Sequence, residues 1–277
     1  VRRKDKVVKT LVSGVRSAMK ANGVEVFQAR GAIQGKNEEG YLVSAGEQIL
    51  TGKKLLIAAG SSPAVPPIPG LKEGLERGYV LTSREILELK EPPRSLCVIG
   101  GGVIGLEFAS YFTSIGTRVR VIEMLDHIAG ENDPELVSLL QAEFEKRGVV
   151  FDLGAKVTAI EAGGVRYEKD GESRIATADL VLLSIGRRAN IRDIGLENIN
   201  VFTQRGGVIV DDRMRTNQPG VYAAGDVTGY SMLAHTAYRE AEVAVNDMLG
   251  LPDRMRYDAI PAVIYTNPEL ASVGETE

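Results

Sequence analysis

Cysteine is nearly absent from this 277-residue sequence: Cys97 stands alone, so no disulfide can form within the chain and nothing points to a secreted, cross-linked fold. Histidine is almost as scarce. With two histidines and one cysteine set far apart, a structural zinc site has no ligand set to draw on. Long apolar runs are missing too, and no stretch approaches the roughly 18 uninterrupted apolar residues of a membrane span. Nor is there a basic tract beyond Arg2-Arg3-Lys4; the formal net charge is −4, which argues against nucleic acid as the main partner. What remains is globular in composition, with 44% hydrophobic and 25% charged residues, enough for one sizeable core or two modest ones. Glycine is abundant at 31 residues, and many glycines sit where strands end. The chain starts at Val1 without an initiating methionine and stops at Glu277 without a closing element, so it reads as a piece of a longer protein. A cytoplasmic location is expected.

Between Lys6 and Ala21, residues Val7, Val8, Leu11, Val12, Val15, Ala18 and Met19 share one helical stripe, and Asn22-Gly23 is a stop signal. Val24-Glu25-Val26-Phe27 reads as a strand, and short alternating runs such as Tyr41-Leu42-Val43 and Lys54 to Ala58 suggest more. Pro63, Pro66, Pro67 and Pro69 exclude a regular helix or central strand and read as a surface connection, and Glu91-Pro92-Pro93 marks a domain boundary. From Ser95 the pattern becomes strand-helix-strand: Leu96 to Ile99, a helix reaching Ser114 or Ile115, then Arg118 to Glu123. Asp133-Pro134-Glu135 is a strong helix start, with Leu136, Leu139, Leu140 and Phe144 expected to be its buried stripe. Val149 to Phe151 and Leu180 to Ile185 complete a parallel α/β pattern. Cys97, inside an apolar strand, is expected to be an inert core thiol.

Gly100-Gly101-Gly102-Val103-Ile104-Gly105 matches G-x-G-x-x-G. Such a loop uses its glycines for a tight turn, for close backbone approach to a pyrophosphate, and for helix-strand packing. The helix that opens at Val103 offers unpaired N–H groups and a positive dipole end to phosphate. A lone match would be weak. Here it follows an apolar strand, opens a helix, and is followed 23 residues after Gly100 by Glu123 at the end of the next strand. That acid can accept from ribose hydroxyls and would repel a 2′-phosphate, which favours NAD(H) over NADP(H). No arginine stands between Glu123 and Asn132 to clamp a 2′-phosphate.

Further stretches keep a shared order along the chain: Ile57-Ala58-Ala59-Gly60-Ser61-Ser62-Pro63, Ser184 to Asn190, and Thr216 to Val227 with Val221-Tyr222-Ala223-Ala224-Gly225-Asp226 at its centre. Met232-Leu233-Ala234-His235 and Tyr265-Thr266-Asn267-Pro268-Glu269 follow. Together with the glycine loop they resemble the pyridine nucleotide-disulfide oxidoreductases, and the Met-Leu-Ala-His run favours the lipoamide-linked branch. The resemblance implies Rossmann-like FAD- and NAD(P)-binding α/β domains, with the NAD domain inserted in a partial FAD domain, then the start of an α+β dimer-interface domain. Residues 1–92 would be the later part of the first FAD segment, 93–216 the NAD domain, 217–257 the second FAD segment, and 258–277 the start of the interface domain. In the last of these, the apolar run Ala259 to Tyr265 would lack sheet partners and leave an exposed edge.

Carried over residue by residue, Gly31, Ala59, Gly60, Ser61, Asp226, Met232, Leu233, Ala234 and His235 would contact FAD. Asp226 would hold a ribityl hydroxyl, and the backbone of Met232 to His235 would face the flavin pyrimidine edge. Gly100, Gly101, Gly102, Val103, Ile104, Gly105, Leu106, Glu107, Glu123, Val157 and Gly186 would line NAD. The implied activity passes electrons between dihydrolipoamide and NAD through FAD, in a homodimer serving the lipoamide-bearing acyltransferase of a 2-oxo acid dehydrogenase complex. The redox cysteine pair and histidine-glutamate base of that chemistry are not in this sequence, so no catalytic residue is assigned and the segment alone is expected to be inactive. Ala59, Ala189 and Ala241 depart from the threonine, proline and glycine usual in the family. Alternatives are another FAD- and NAD(P)H-dependent disulfide reductase, an NADH oxidase, or a non-catalytic NAD-binding module.

Overall fold

The computed structural model describes Arg2 to Glu275; the expected segment ends at Val1, Thr276 and Glu277 lie outside the described residues. The helices referred to below are α1 (Arg2–Ala21), α2 (Leu71–Arg77), α3 (Val103–Ser114), α4 (Pro134–Lys146) and α5 (Ala234–Met248). The chain gathers into two compact units, one of residues 63–187 and 258 onward, the other of residues up to 62 and 188–257.

The first unit is built on a five-stranded sheet in the order Val80–Leu81, Leu180–Leu183, Ser95–Ile99, Arg118–Ile122, Val150–Asp152. Every pairing in it is parallel. The strands are short apolar runs because both faces of such a sheet are covered. Leu96, Leu106, Phe112, Leu140, Phe144 and Leu182 share one core. On the opposite face, an antiparallel meander of Lys156–Glu161, Gly164–Lys169 and Glu172–Thr177 packs Ile160, Val165 and Tyr167 against Cys97, Ile99 and Val181. Burial pushes the Cys97 thiol up to about 12, so this cysteine stays a thiol at neutral pH.

Two expectations change here. Helix α4 buries Val137, Leu140 and Phe144, while Leu136 and Leu139 remain 44% and 62% exposed. The N-terminus fixes where the helix starts, since Asp133 accepts from the N–H groups of Glu135 and Leu136 at 2.9 and 3.2 Å and Pro134 sets the first turn, while packing on the sheet core decides which face turns inward. The run after Asp258 is also not an open edge. Ala262–Ile264 pairs with Leu270–Ser272, and Ile264 and Leu270 join the core that contains α3. The Pro92-Pro93 break falls inside this unit, because Val80–Leu81 pairs with Val181 and Leu182 and draws the preceding residues with it.

The second unit holds a three-stranded antiparallel sheet of Gly31–Lys36, Tyr41–Ala45 and Gln48–Gly52, and a parallel pair of Leu55–Ile57 with Val221–Ala223. Helix α1 forms with its stripe, but none of its residues is buried. Val24 to Phe27 is not a strand; Val24 and Val26 stay exposed, and a lone extended run without a ladder is not a stable strand. Helix α5 turns Thr236, Glu240, Val243, Ala244 and Asp247 inward. Asp247 anchors it: Arg215 Nε and the Tyr222 hydroxyl donate to Asp247 Oδ2 at 2.6 and 2.9 Å, and Arg213 adds a contact at 3.3 Å.

Leu140→Ala should lower stability by about 2–5 kcal/mol, whereas Leu139→Ala should stay within about 0.5 kcal/mol, measured by urea unfolding. Equal losses would show that α4 is seated in the other phase. Acid should loosen the second unit through Asp247. Its hydrogen bonds, Arg215 first and then Tyr222 and Arg213, hold the carboxyl at about 2. A depressed carboxyl stabilises the fold above the unfolded carboxylate range and loses that contribution as pH falls towards its folded value. Asp247→Asn should therefore be less stable at pH 6 yet show a flatter drop in urea midpoint between pH 4 and pH 2, windows set by ordinary carboxyl values of ~3.9.

Candidate functional site

The glycine loop leaves the central strand Ser95–Ile99 and enters α3 at once. At Gly105 a methyl group would sit 2.1 Å from the Gly100 carbonyl oxygen and 2.8 Å from Ser184 Oγ, so the fold itself demands glycine there. Gly102 differs. Its φ of −78° and ψ of −176° suit any residue, and a methyl group there would meet no protein atom within 4 Å. The space beside Gly102 opens at the start of α3, which has no side-chain cap. The N–H groups of a first helical turn lack intrahelical partners, so this opening faces donors and a positive dipole end.

Glu123 lies beside the same loop. Its carboxylate accepts the Gly101 N–H at 2.5 Å and the Leu125 N–H at 2.8 Å, while its own backbone N–H donates to the Asp152 carbonyl at 2.9 Å. The strand end, the loop and the acid therefore meet as the sequence pattern requires. Val103 is exposed and Ile104 half-buried, while Leu106 is fully buried and points into the core. Glu107 accepts the Tyr265 N–H at 3.0 Å, which ties α3 to the hairpin that begins at Ala262. Val157 is half-buried against the meander core, and the Gly186 carbonyl accepts the Ala64 N–H at 3.0 Å.

In the second unit, Leu55–Ile57 and Val221–Ala223 run side by side, so the segments that follow them, Ala59 to Ser61 and Gly225-Asp226, emerge together. The Ser61 hydroxyl donates to Asp226 Oδ2. Asn190 fastens the first segment, accepting the Ser62 hydroxyl at 2.8 Å and donating its side-chain amide to the Ala59 carbonyl at 2.9 Å. Gly225 has φ 80° and ψ −161°, a region that essentially only glycine occupies. Its N–H donates to Glu240 Oε2 at 2.5 Å, and the Tyr257 hydroxyl donates to Glu240 Oε1 at 2.7 Å. Burial raises the Glu240 carboxyl above its ordinary value, and nearby Asp226 acts in the same direction, against the two donors. Burial and the Glu240 bond raise the Tyr257 phenol as well.

Ala234 and His235 occupy the uncapped first turn of α5, exposed, with Met232 and Leu233 just before it. Gly31 is exposed at the start of a different sheet; a methyl group there would make only ordinary contact, 3.8 Å from the Ser44 carbonyl oxygen. The contacts thus join Ser61, Asp226 and the Ala59-Gly60 segment, and they do not join Gly31 to that group. Sequence reasoning assigned no role to Asn190, Glu240 or Tyr257. For Glu240 a signal was present: it shares the inward spacing of Thr236, Val243, Ala244 and Asp247.

Residues 1–241 match the sequence profile described as pyridine nucleotide-disulphide oxidoreductase. The chain is 43% identical over 249 residues to a dihydrolipoyl dehydrogenase of Acholeplasma laidlawii, covering 90% of this chain and 72% of that protein. It is 39% identical to a dihydrolipoyl dehydrogenase of Chlamydia muridarum, covering 99% of this chain and 58% of that one. Among solved structures, the HOCl-induced flavoprotein disulfide reductase RclA of Escherichia coli superposes with a TM-score of 0.89 at 26% identity, over 100% of this chain and 63% of that chain. The chain therefore spans about three-fifths of the length of most of these relatives.

Proposed function

The chain belongs to the pyridine nucleotide-disulphide oxidoreductase family, and from that premise we propose that it is the nucleotide-handling part of a dihydrolipoyl dehydrogenase. The unit with the parallel sheet takes NAD, and the other unit takes FAD. The observation that carries this reading is Gly102, a glycine that its own fold does not require, at the uncapped start of α3 and next to Gly101, whose N–H the Glu123 carboxylate accepts. A position where a side chain would meet no protein atom, yet none is present, suits a pyrophosphate that must come close to the backbone.

When bound, FAD supplies a two-electron relay between a dithiol substrate and NAD. The protein groups do the rest. Gly100 to Gly105 present the first turn of α3 to the NAD pyrophosphate, and Glu123 accepts from the ribose hydroxyls and repels a 2′-phosphate. Val157 and Gly186 line the same nucleotide. Asp226, held by Ser61, accepts from a ribityl hydroxyl of the flavin cofactor. The backbone of Met232 to His235, where α5 begins without a side-chain cap, would supply hydrogen-bond donors to the pyrimidine edge of bound FAD. The redox cysteine pair is not within these 277 residues, whose one cysteine is buried in the parallel sheet. The protein expressed from its complete reading frame is then a cytoplasmic homodimer whose partner is the lipoamide-bearing acyltransferase of a 2-oxo acid dehydrogenase complex. The likeness to RclA favours a second reading, a flavin-linked reductase of another disulfide. Lipoamide reduction assayed against other disulfides on the complete protein separates the two.

The present chain should bind NADH more tightly than NADPH in a fluorescence titration. Glu123→Arg should reduce or reverse that preference, and Gly102→Ala should keep the fold while weakening NADH on the order of tenfold. Gly105→Ala should instead lower stability, because its methyl group meets the Gly100 carbonyl. If the unmodified chain binds both cofactors equally, the NAD assignment is wrong.

A further inference from the structure

We infer that Glu240 is a positioning residue for flavin binding, its carboxylate fixing the Gly225 peptide so that Asp226 meets the cofactor in one orientation. The inference rests on the reading of Asp226 as a flavin contact. Glu240 is fully buried, at 0% exposure, on the inward face of α5. An acid at such a place is costly unless both oxygens are satisfied. Both are: one by the Gly225 N–H at 2.5 Å, the other by the Tyr257 hydroxyl at 2.7 Å. The opposite end of the Gly225 residue is held as well, since its carbonyl accepts the Thr228 N–H at 2.9 Å and the Thr228 hydroxyl at 3.0 Å. Asp226 leaves directly from this clamped residue.

The N-terminal clamp is a side chain from another element, α5, whereas the Thr228 groups at the other end lie three residues along the same turn. Without it, the Gly225 N–H, in a buried residue, would lose its acceptor, and a glycine free of that bond can reach many other φ and ψ values. The Asp226 carboxylate would then sample several directions, and its bond from Ser61 would have to re-form on each return. Both Glu240 oxygens are taken by protein donors and the side chain is fully buried, which leaves it no atom to offer a ligand directly. It acts through Asp226, and Tyr257 orients Glu240.

The test measures FAD affinity, by flavin fluorescence quenching, on apoprotein prepared from the complete protein. Glu240→Met fills the same volume without an acceptor and should weaken FAD about tenfold. Glu240→Gln should restore affinity to within about threefold, because its carbonyl accepts from Gly225 and its amide can donate to the Tyr257 oxygen. In an Asp226→Ala background, Glu240→Met should cause no further loss. If Glu240→Met does not fold, Tyr257→Phe replaces it, with an expected weakening of about threefold that also vanishes in the Asp226→Ala background. Unchanged FAD affinity in Glu240→Met, or equal losses with and without Asp226, overturns the positioning role alone. A complete wild-type protein that takes up no FAD overturns the functional reading, and this inference falls with it.

Discussion

A contact between two backbone segments governs the first unit: at Gly105 the helix α3 approaches the Gly100 carbonyl so closely that no side chain fits between them. That approach sets where α3 begins and aims its first turn along the end of the central strand. Neighbouring strands then lock the loop. The Gly100 N–H donates to the Ile122 carbonyl at 2.9 Å, and the Ser184 hydroxyl faces the Ile99 and Gly100 carbonyls at 2.9 and 3.2 Å. Glu123 is drawn in by the Gly101 N–H. A loop held from several strands is ordered by the fold itself, so the cost of ordering it falls on folding.

The second unit solves a similar problem with buried acids. Helix α5 carries Glu240 and Asp247 seven residues apart, two turns along one inward face. Each ties the helix to the segment around Val221–Ala223: Asp247 through Tyr222, Arg213 and Arg215, and Glu240 through Gly225. Buried charges are tolerated because hydrogen bonds replace the water they lost. The result is that the helix is tied to the parallel strand pair and to the Gly225-Asp226 corner by side-chain hydrogen bonds at two levels. A site built on such a corner needs few loop residues of its own.

The sequence by itself determined the parallel α/β pattern around the glycine loop, the helix starts at Val103 and Asp133-Pro134, and the meeting of Glu123 with that loop. These are local matters: a strand end, a glycine spacing and a cap act within a few residues, and the next strand lies alongside because a short crossover leaves no other place for it. The phase of α4 was not legible, since Leu136, Leu139 and Leu140 all fit an apolar stripe and only contact with the sheet selects Leu140 over the other two. Nor was the fate of the run after Asp258, whose strand finds its partner within its own hairpin and its cover on α3. The Ser61–Asp226 bond joins residues 165 positions apart, and Glu240 and Tyr257 gain their roles only once the Val221–Ala223 strand, α5 and the chain beyond it converge. Tertiary structure decided these, because whether a polar side chain is a solvated surface group or a buried clamp depends on which distant backbone amide the fold brings within reach.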